Sequence, residues 1–291
     1  MRTTPLLVAL VATGALTSAV VAATPAQGAD AASAADRAAT AAVTPADARY
    51  PVALHRANLS GSSLDPAQYQ VLDNTTLSID QARIRGYNVR VHDNRVDLVG
   101  NRGDGGERPY SSAYFWSKGK FSFPPPTGTN GYRIEANLKM PQASAGSWPA
   151  FWLRPDDGTD GDELDIMEQV GGHTPFMTVA TAHRSYTTNP KQVSKAVPLS
   201  FDPQSWHTYA VEWDPSEIRW YVDSTLIYTV NPSNTPWFAE VFQRQARWHL
   251  RFNLQMGGEM PGYWGPQIGS ASKLPAVYSV ANIRWLAKQR V

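Results

Sequence analysis

The sequence predicts an all-β protein of antiparallel sheets packed as a sandwich or barrel. Three observations carry that prediction. Short runs rich in β-branched and aromatic residues recur along the chain, and Gly, Pro, Asn and Asp separate them. No sustained helical period appears after residue 50. Successive hairpins without crossover helices imply antiparallel pairing.

The start of the 291-residue chain reads as an export signal. Arg2 supplies a positive start, Leu6 to Val21 is almost wholly apolar or small, and Ala26-Gln27-Gly28 offers a cleavage site. The apolar run is short for a membrane anchor. Residues 1–28 are therefore read as a signal peptide, and the mature protein as secreted and extracellular. Residues 29–49 are rich in Ala, Thr, Asp and Ser and lack large apolar groups, so they are read as a disordered Ala-rich linker. Residues 50–291 are read as one large β domain.

Candidate strands then follow in order at 88–92, 95–99, 111–117, 131–139, 147–153, 163–169, 177–183, 206–214, 217–222, 226–230 and 247–255. Within 206–214, alternation puts Trp206, Thr208, Ala210 and Glu212 on one face, and His207, Tyr209, Val211 and Trp213 on the other. Asp214-Pro215-Ser216-Glu217 is read as a turn with Pro at its second position. A short helix is placed around 236–243. Asn101-Arg102-Gly103-Asp104-Gly105-Gly106 has no dinucleotide spacing and is read as a flexible loop.

Net charge is +1, which gives no electrostatic case for nucleic acid or an anionic membrane. Cysteine is absent, which removes disulfides, thiolate catalysis and Cys-based zinc sites. The histidines form no His-Glu-x-x-His pair, and no Gly-x-Ser-x-Gly elbow occurs. His173, His207 and His249 are read as core-edge or surface residues. Ten Trp and twelve Tyr are a notable surplus; aromatics can fill a core, and they also make stacking platforms for sugar rings.

The most informative stretch is Gly161-Asp162-Glu163-Leu164-Asp165-Ile166-Met167-Glu168-Gln169. In a strand Glu163 and Asp165 share one face, while Leu164 and Ile166 point to the core. Glu168 falls on the wrong face unless one extra residue, a β-bulge at Ile166-Met167, restores parity. Three acids on one face would spread their pKa values apart, so one ionises while another keeps its proton. That is the arrangement glycosidic hydrolysis needs, with Glu163 as nucleophile, Glu168 as acid/base and Asp165 tuning both. A solvated acidic face or a calcium site would use the same residue types. Asp156, Asp157, Asp160 and Asp162 form an acidic loop able to take a structural calcium ion, with a solvated turn preferred. No cofactor is expected to be required for catalysis. Just upstream, Trp148, Ala150 and Trp152 share a face, with the proviso that Pro149 favours an edge or a strand start.

Trp148-Pro149-Ala150-Phe151-Trp152 upstream of Glu163-Leu164-Asp165-Ile166-Met167-Glu168 resembles family 16 of the glycoside hydrolases, on the laminarinase-like side. Tyr132-Arg133-Ile134-Glu135-Ala136, Tyr209-Ala210-Val211-Glu212-Trp213, Trp220-Tyr221-Val222-Asp223 and Asn253-Leu254-Gln255-Met256-Gly257-Gly258 are similar to further family segments, in order. The resemblance implies a concanavalin-like jelly-roll sandwich of two curved antiparallel sheets with a concave substrate cleft. It implies retention of anomeric configuration, with Trp148, Trp152, His183, Asn253 and Trp264 lining the sugar site. Two departures stand out: residues 50–100 lack an early tryptophan, and Asp223-Ser224 replaces an Asp-Gly turn. The implied substrate is a β-1,3-glucan cut internally. A galactan such as agarose or carrageenan, glycosyl transfer, and a non-catalytic polysaccharide-binding role on the same fold remain alternatives. The expected partner is the polysaccharide alone, with no nucleic acid, no membrane after signal cleavage, and a monomeric protein.

Overall fold

A computed structural model describes residues 46–118, 124–142, 145–155, 161–171, 177–244, 246–258, 267–270 and 272–289. Strands β1 (Val52–Arg56), β2 (Tyr69–Val71), β3 (Thr75–Thr76) and β4 (Ala82–Ile84) lead into β5 (Val89–His92), β6 (Arg95–Gly105) and β7 (Arg108–Ser117). Next come β8 (Tyr132–Lys139), β9 (Ser147–Pro155), β10 (Glu163–Glu168), β11 (Met177–Arg184) and β12 (Lys191–Pro198). Last are β13 (His207–Asp214), β14 (Glu217–Val222), β15 (Thr225–Val230), β16 (Trp248–Met256) and β17 (Ala276–Ala287). One helical turn, Phe238–Phe242, falls inside the stretch where a short helix is expected.

The strands form a jelly-roll sandwich. The first sheet runs β2-β7-β16-β9-β10-β11-β12, antiparallel throughout. The second runs β15-β14-β13-β8-β17, with β6 and β1 sharing the outer side of β17 and β5 beyond β6. Both sheets turn alternate apolar side chains inward. In β13 these are Tyr209, Val211 and Trp213, as alternation requires. Aromatic stacking fills the interior: Phe151 lies on Phe252 at 4.5 Å between ring centres, and Trp213 meets Trp248 edge-on at 5.2 Å.

Several elements depart from the sequence reading. The Gly-rich segment at 101–106 is no flexible loop: it is the end of β6 and its turn into β7, with Gly105 paired to Arg108. Pro149 sits in β9, a central strand rather than an edge. It lies just beyond Ala150, the last residue of β9 in register with β10, so a missing N–H is tolerated there. β12 carries polar residues on both faces, including Lys191 and Lys195, and lies at the sheet margin, where such residues discourage further pairing. β17 has its alternation broken near Asn282, which adopts a left-handed φ of 51° where the ladder to β8 shifts register.

The outer face of the second sheet carries a buried ionic row. Arg133 donates from Nε to Glu135 at 2.6 Å and from Nη1 to Glu212 at 3.2 Å. Arg219 bonds Glu212 at 3.2 Å and Asp214 at 2.7 Å, and Arg284 pairs with Glu135. Register sets this alternation, because Arg133 and Arg219 flank Glu212 on neighbouring strands. The N-terminal segment closes over the row, with Arg49 on Glu212 at 2.7 Å and Tyr50 buried. Removing one partner from such a row strands the others' charge in a dry place. Glu212→Ala is expected to lower unfolding free energy by about 3–5 kcal/mol, read by urea denaturation; a loss under ~1 kcal/mol would show the row to be solvated.

Candidate active site

β10 is an interior strand of the first sheet, between β9 and β11. Leu164, Ile166 and Met167 are buried in the core. Towards β9, Asp165 pairs with Trp152 and Met167 with Phe151, so Ile166 is the extra residue. Towards β11, Asp165 pairs with Thr181 and Glu168 with Val179, again with one surplus residue on β10. The bulge expected from the acid spacing is present, and it places Glu163, Asp165 and Glu168 on the cleft face.

The three carboxyls are held closely. Tyr186 Oη donates to Glu163 Oε1 at 2.6 Å. His183 Nε2 lies 3.2 Å from Asp165 Oδ2, and Thr181 Oγ1 donates to Glu168 Oε2 at 3.4 Å. Gly161, at a left-handed φ of 84°, lets Tyr186 come against the start of β10; any side chain there would strike the Tyr186 ring and backbone. Asp162 is committed to structure, since it pairs with Arg244 at 2.5 Å and accepts from the Ser185 N–H at 3.1 Å. The remainder of its acidic loop, at 156–160, lies outside the described residues.

Electrostatics separate the trio. Burial raises the Glu163 pKa, but the Tyr186 hydrogen bond and the charges of His183 and Arg154 pull it back. Asp165 is pushed well above the usual carboxylate range, first by burial and then by Glu163 beside it. Burial, reinforced by Asp165 and Glu163, pushes Glu168 well up too. Burial lowers the His183 pKa, and the charges of Glu163 and Glu168 oppose that shift. Glu163, Asp165 and His183 bring donor atoms within 4.8 Å of one another, the spacing a metal ion would require. The same proximity is explained by one carboxyl sharing its proton with another.

The other expected residues divide. Trp152 is half-buried and donates from Nε1 to Asn253 Oδ1 at 2.7 Å, so these two form one wall beside Asp165. His183 joins the trio directly. Trp148 shares their face but is buried further along β9, opposite Gln255. Trp264 lies outside the described residues, as does His173. His207 stacks on Phe201, and His249 is buried and bonded to the Ser117 carbonyl. The sequence reading missed Tyr186, Thr181 and Arg154, together with the aromatic group beyond Trp152. There, Arg251 donates to Tyr114 Oη at 2.7 Å and lies over the rings of Trp152 and Trp116 at 5.1 and 5.8 Å. Thr181 was open to detection, two residues before His183 on one strand face; Tyr186 follows the strand's end and had no such signal.

The raised pKa of Glu168 implies a definite pH dependence of stability. Below the ordinary carboxylate value of about 4.3 the group is protonated folded or unfolded, and no penalty exists. As pH rises towards the folded value, the unfolded state ionises first and stability is lost. Glu168→Gln is therefore expected to raise the thermal midpoint by at least ~2 °C at pH 7, with the gain vanishing near pH 4. Equal midpoints at both pH values would contradict this environment.

Comparison with known proteins follows the same lines. A beta-glucanase of Rhodothermus marinus is 33% identical over 187 residues, 61% of this chain and 62% of that protein. The chain spans less than two thirds of the length of the curated relatives it matches. An endo-1,3-beta-glucanase structure from Streptomyces sioyaensis superposes with a TM-score of 0.66 at 25% identity, covering 81% of this chain and 95% of that one. A laminarinase structure from Rhodothermus marinus gives 0.65 at 25% identity, covering 81% and 96%. The family model described as "Glycosyl hydrolases family 16" matches residues 65–267, from before β2 to beyond β16 and across all three clustered acids. On that match, the chain belongs to family 16 of the glycosyl hydrolases.

Proposed function

We propose that this protein is a secreted, retaining endo-β-glycanase that hydrolyses β-1,3-glucan. One observation carries the chemistry: the bulge in β10 brings Glu163, Asp165 and Glu168 to one face of the concave sheet. The relatives' names support a β-glucan as substrate. The export reading rests on the N-terminal sequence alone.

The roles follow from the environments. Glu163 has the most support for its charged form, from Tyr186, His183 and Arg154, and so suits the nucleophile. Glu168 holds its proton to higher pH and suits the general acid. Glu163 attacks the anomeric carbon while Glu168 gives its proton to the departing glycosidic oxygen. The glycosyl-enzyme ester then forms on Glu163. Water attacks the same carbon, Glu168 takes the water's proton, and Glu163 leaves as a carboxylate. Asp165, hydrogen-bonded to Glu163, retains its own proton and limits repulsion within the trio. Trp152 and Asn253 present an aromatic face and a fixed amide to the bound sugar.

The test is a reducing-end assay on laminarin, lichenan, agarose and carrageenan. Laminarin is expected to be cut fastest, with a ladder of oligosaccharides at early times. Glu163→Gln is expected to lose about a thousandfold or more of that rate. Equal rates for wild type and variant would overturn the assignment, and preferential cutting of agarose or carrageenan would overturn the substrate.

A further inference from the structure

We propose that Trp220 is a positioning residue of this site: its indole N–H holds the bulge of β10 in the register that turns Glu168 into the cleft. Trp220 belongs to β14, in the opposite sheet, and is fully buried in the core. Its Nε1 reaches across the sandwich and donates to the backbone carbonyl of Asp165 at 2.8 Å. Asp165 is the last residue of β10 in register with both neighbours before the ladders slip. The bond therefore falls where the strand leaves regular pairing and its backbone groups are least served by the ladder.

The fold does not supply such a partner as a matter of course. Trp213 and Trp248 are equally buried, and neither indole N–H has an acceptor among the described residues. The register at stake is sharp, because the alternative to the bulge is a regular strand. Slipping by one residue would carry Glu168 to the core face and Met167 towards the cleft. An acceptor bond fixed from the core side favours the bulged form, since the regular strand would turn that carbonyl back into the ladder. This rests on the reading of Glu168 as acid/base.

The experiment replaces Trp220 with 3-benzothienylalanine, which keeps the ring shape and puts sulfur in place of the N–H. The same replacement at Trp213, whose N–H has no acceptor among the described residues, is the control. At position 220, kcat on laminarin is expected to fall at least about tenfold with KM within about twofold, as displacement of a reacting group requires. Amide hydrogen exchange in 163–170 is expected to quicken about tenfold, with the other strands unchanged. The control is expected to change neither. Unchanged kcat and exchange at 220, an equal effect at 213, or faster exchange across every strand would each overturn the proposal. If the wild type cuts none of the four polysaccharides, the hydrolytic reading fails, and the exchange measurement still decides the role of Trp220.

Discussion

A β-strand presents its side chains to two faces in turn, so acids at positions i, i+2 and i+5 share a face only if one residue is taken out of the pairing. β10 meets that condition with Ile166, and the site depends on it. Leu164 and Met167 keep the strand anchored in the core on either side of the irregularity, while Glu163, Asp165 and Glu168 emerge together. Without the extra residue Met167 would leave the core and the third carboxyl would turn into it, away from the cleft.

Placing three carboxyls on one protein wall is unfavourable, and their surroundings show how it is tolerated. Glu163 receives a hydroxyl donor from Tyr186, and Arg154 and His183 stand nearby. Asp165 and Glu168 have less support, and burial together with the neighbouring carboxylates pushes both pKa values up. The far side of the molecule solves the opposite problem, with charges compensated pair by pair in the row through Arg133, Glu212 and Arg219. Arg219 and Trp220 are neighbours on β14, facing out and in. The ionic row therefore fixes the strand from which the indole reaches the bulge.

Much of this was legible in the sequence where alternation was clean. β13 and β14 follow from their patterns, and the bulge follows from acid spacing alone. Alternation fails as a guide where a strand is irregular or unusually placed. β17 was missed because Asn282 interrupts its period, and β12 because neither of its faces is apolar. The stretch 101–106 reads as a loop because glycine is tolerated where a hairpin end packs closely, as Gly105 does on the Tyr110 carbonyl. At the site, residues on the β10 and β9 motifs were found, with Asn253 and His183 beside them. Tyr186 was not, because it reaches Glu163 by chain approach over Gly161 and not through any strand period.

The central claim is that the carboxylate of Glu163 faces the reacting sugar carbon. It is tested most directly by trapping with an activated 2-deoxy-2-fluoro-glucosyl oligosaccharide, followed by peptide mass analysis. The account predicts one added glycosyl unit, carried by the peptide containing Glu163 and localised to that side chain. A label on Glu168, or complete turnover of the probe with inversion and no label, would contradict it.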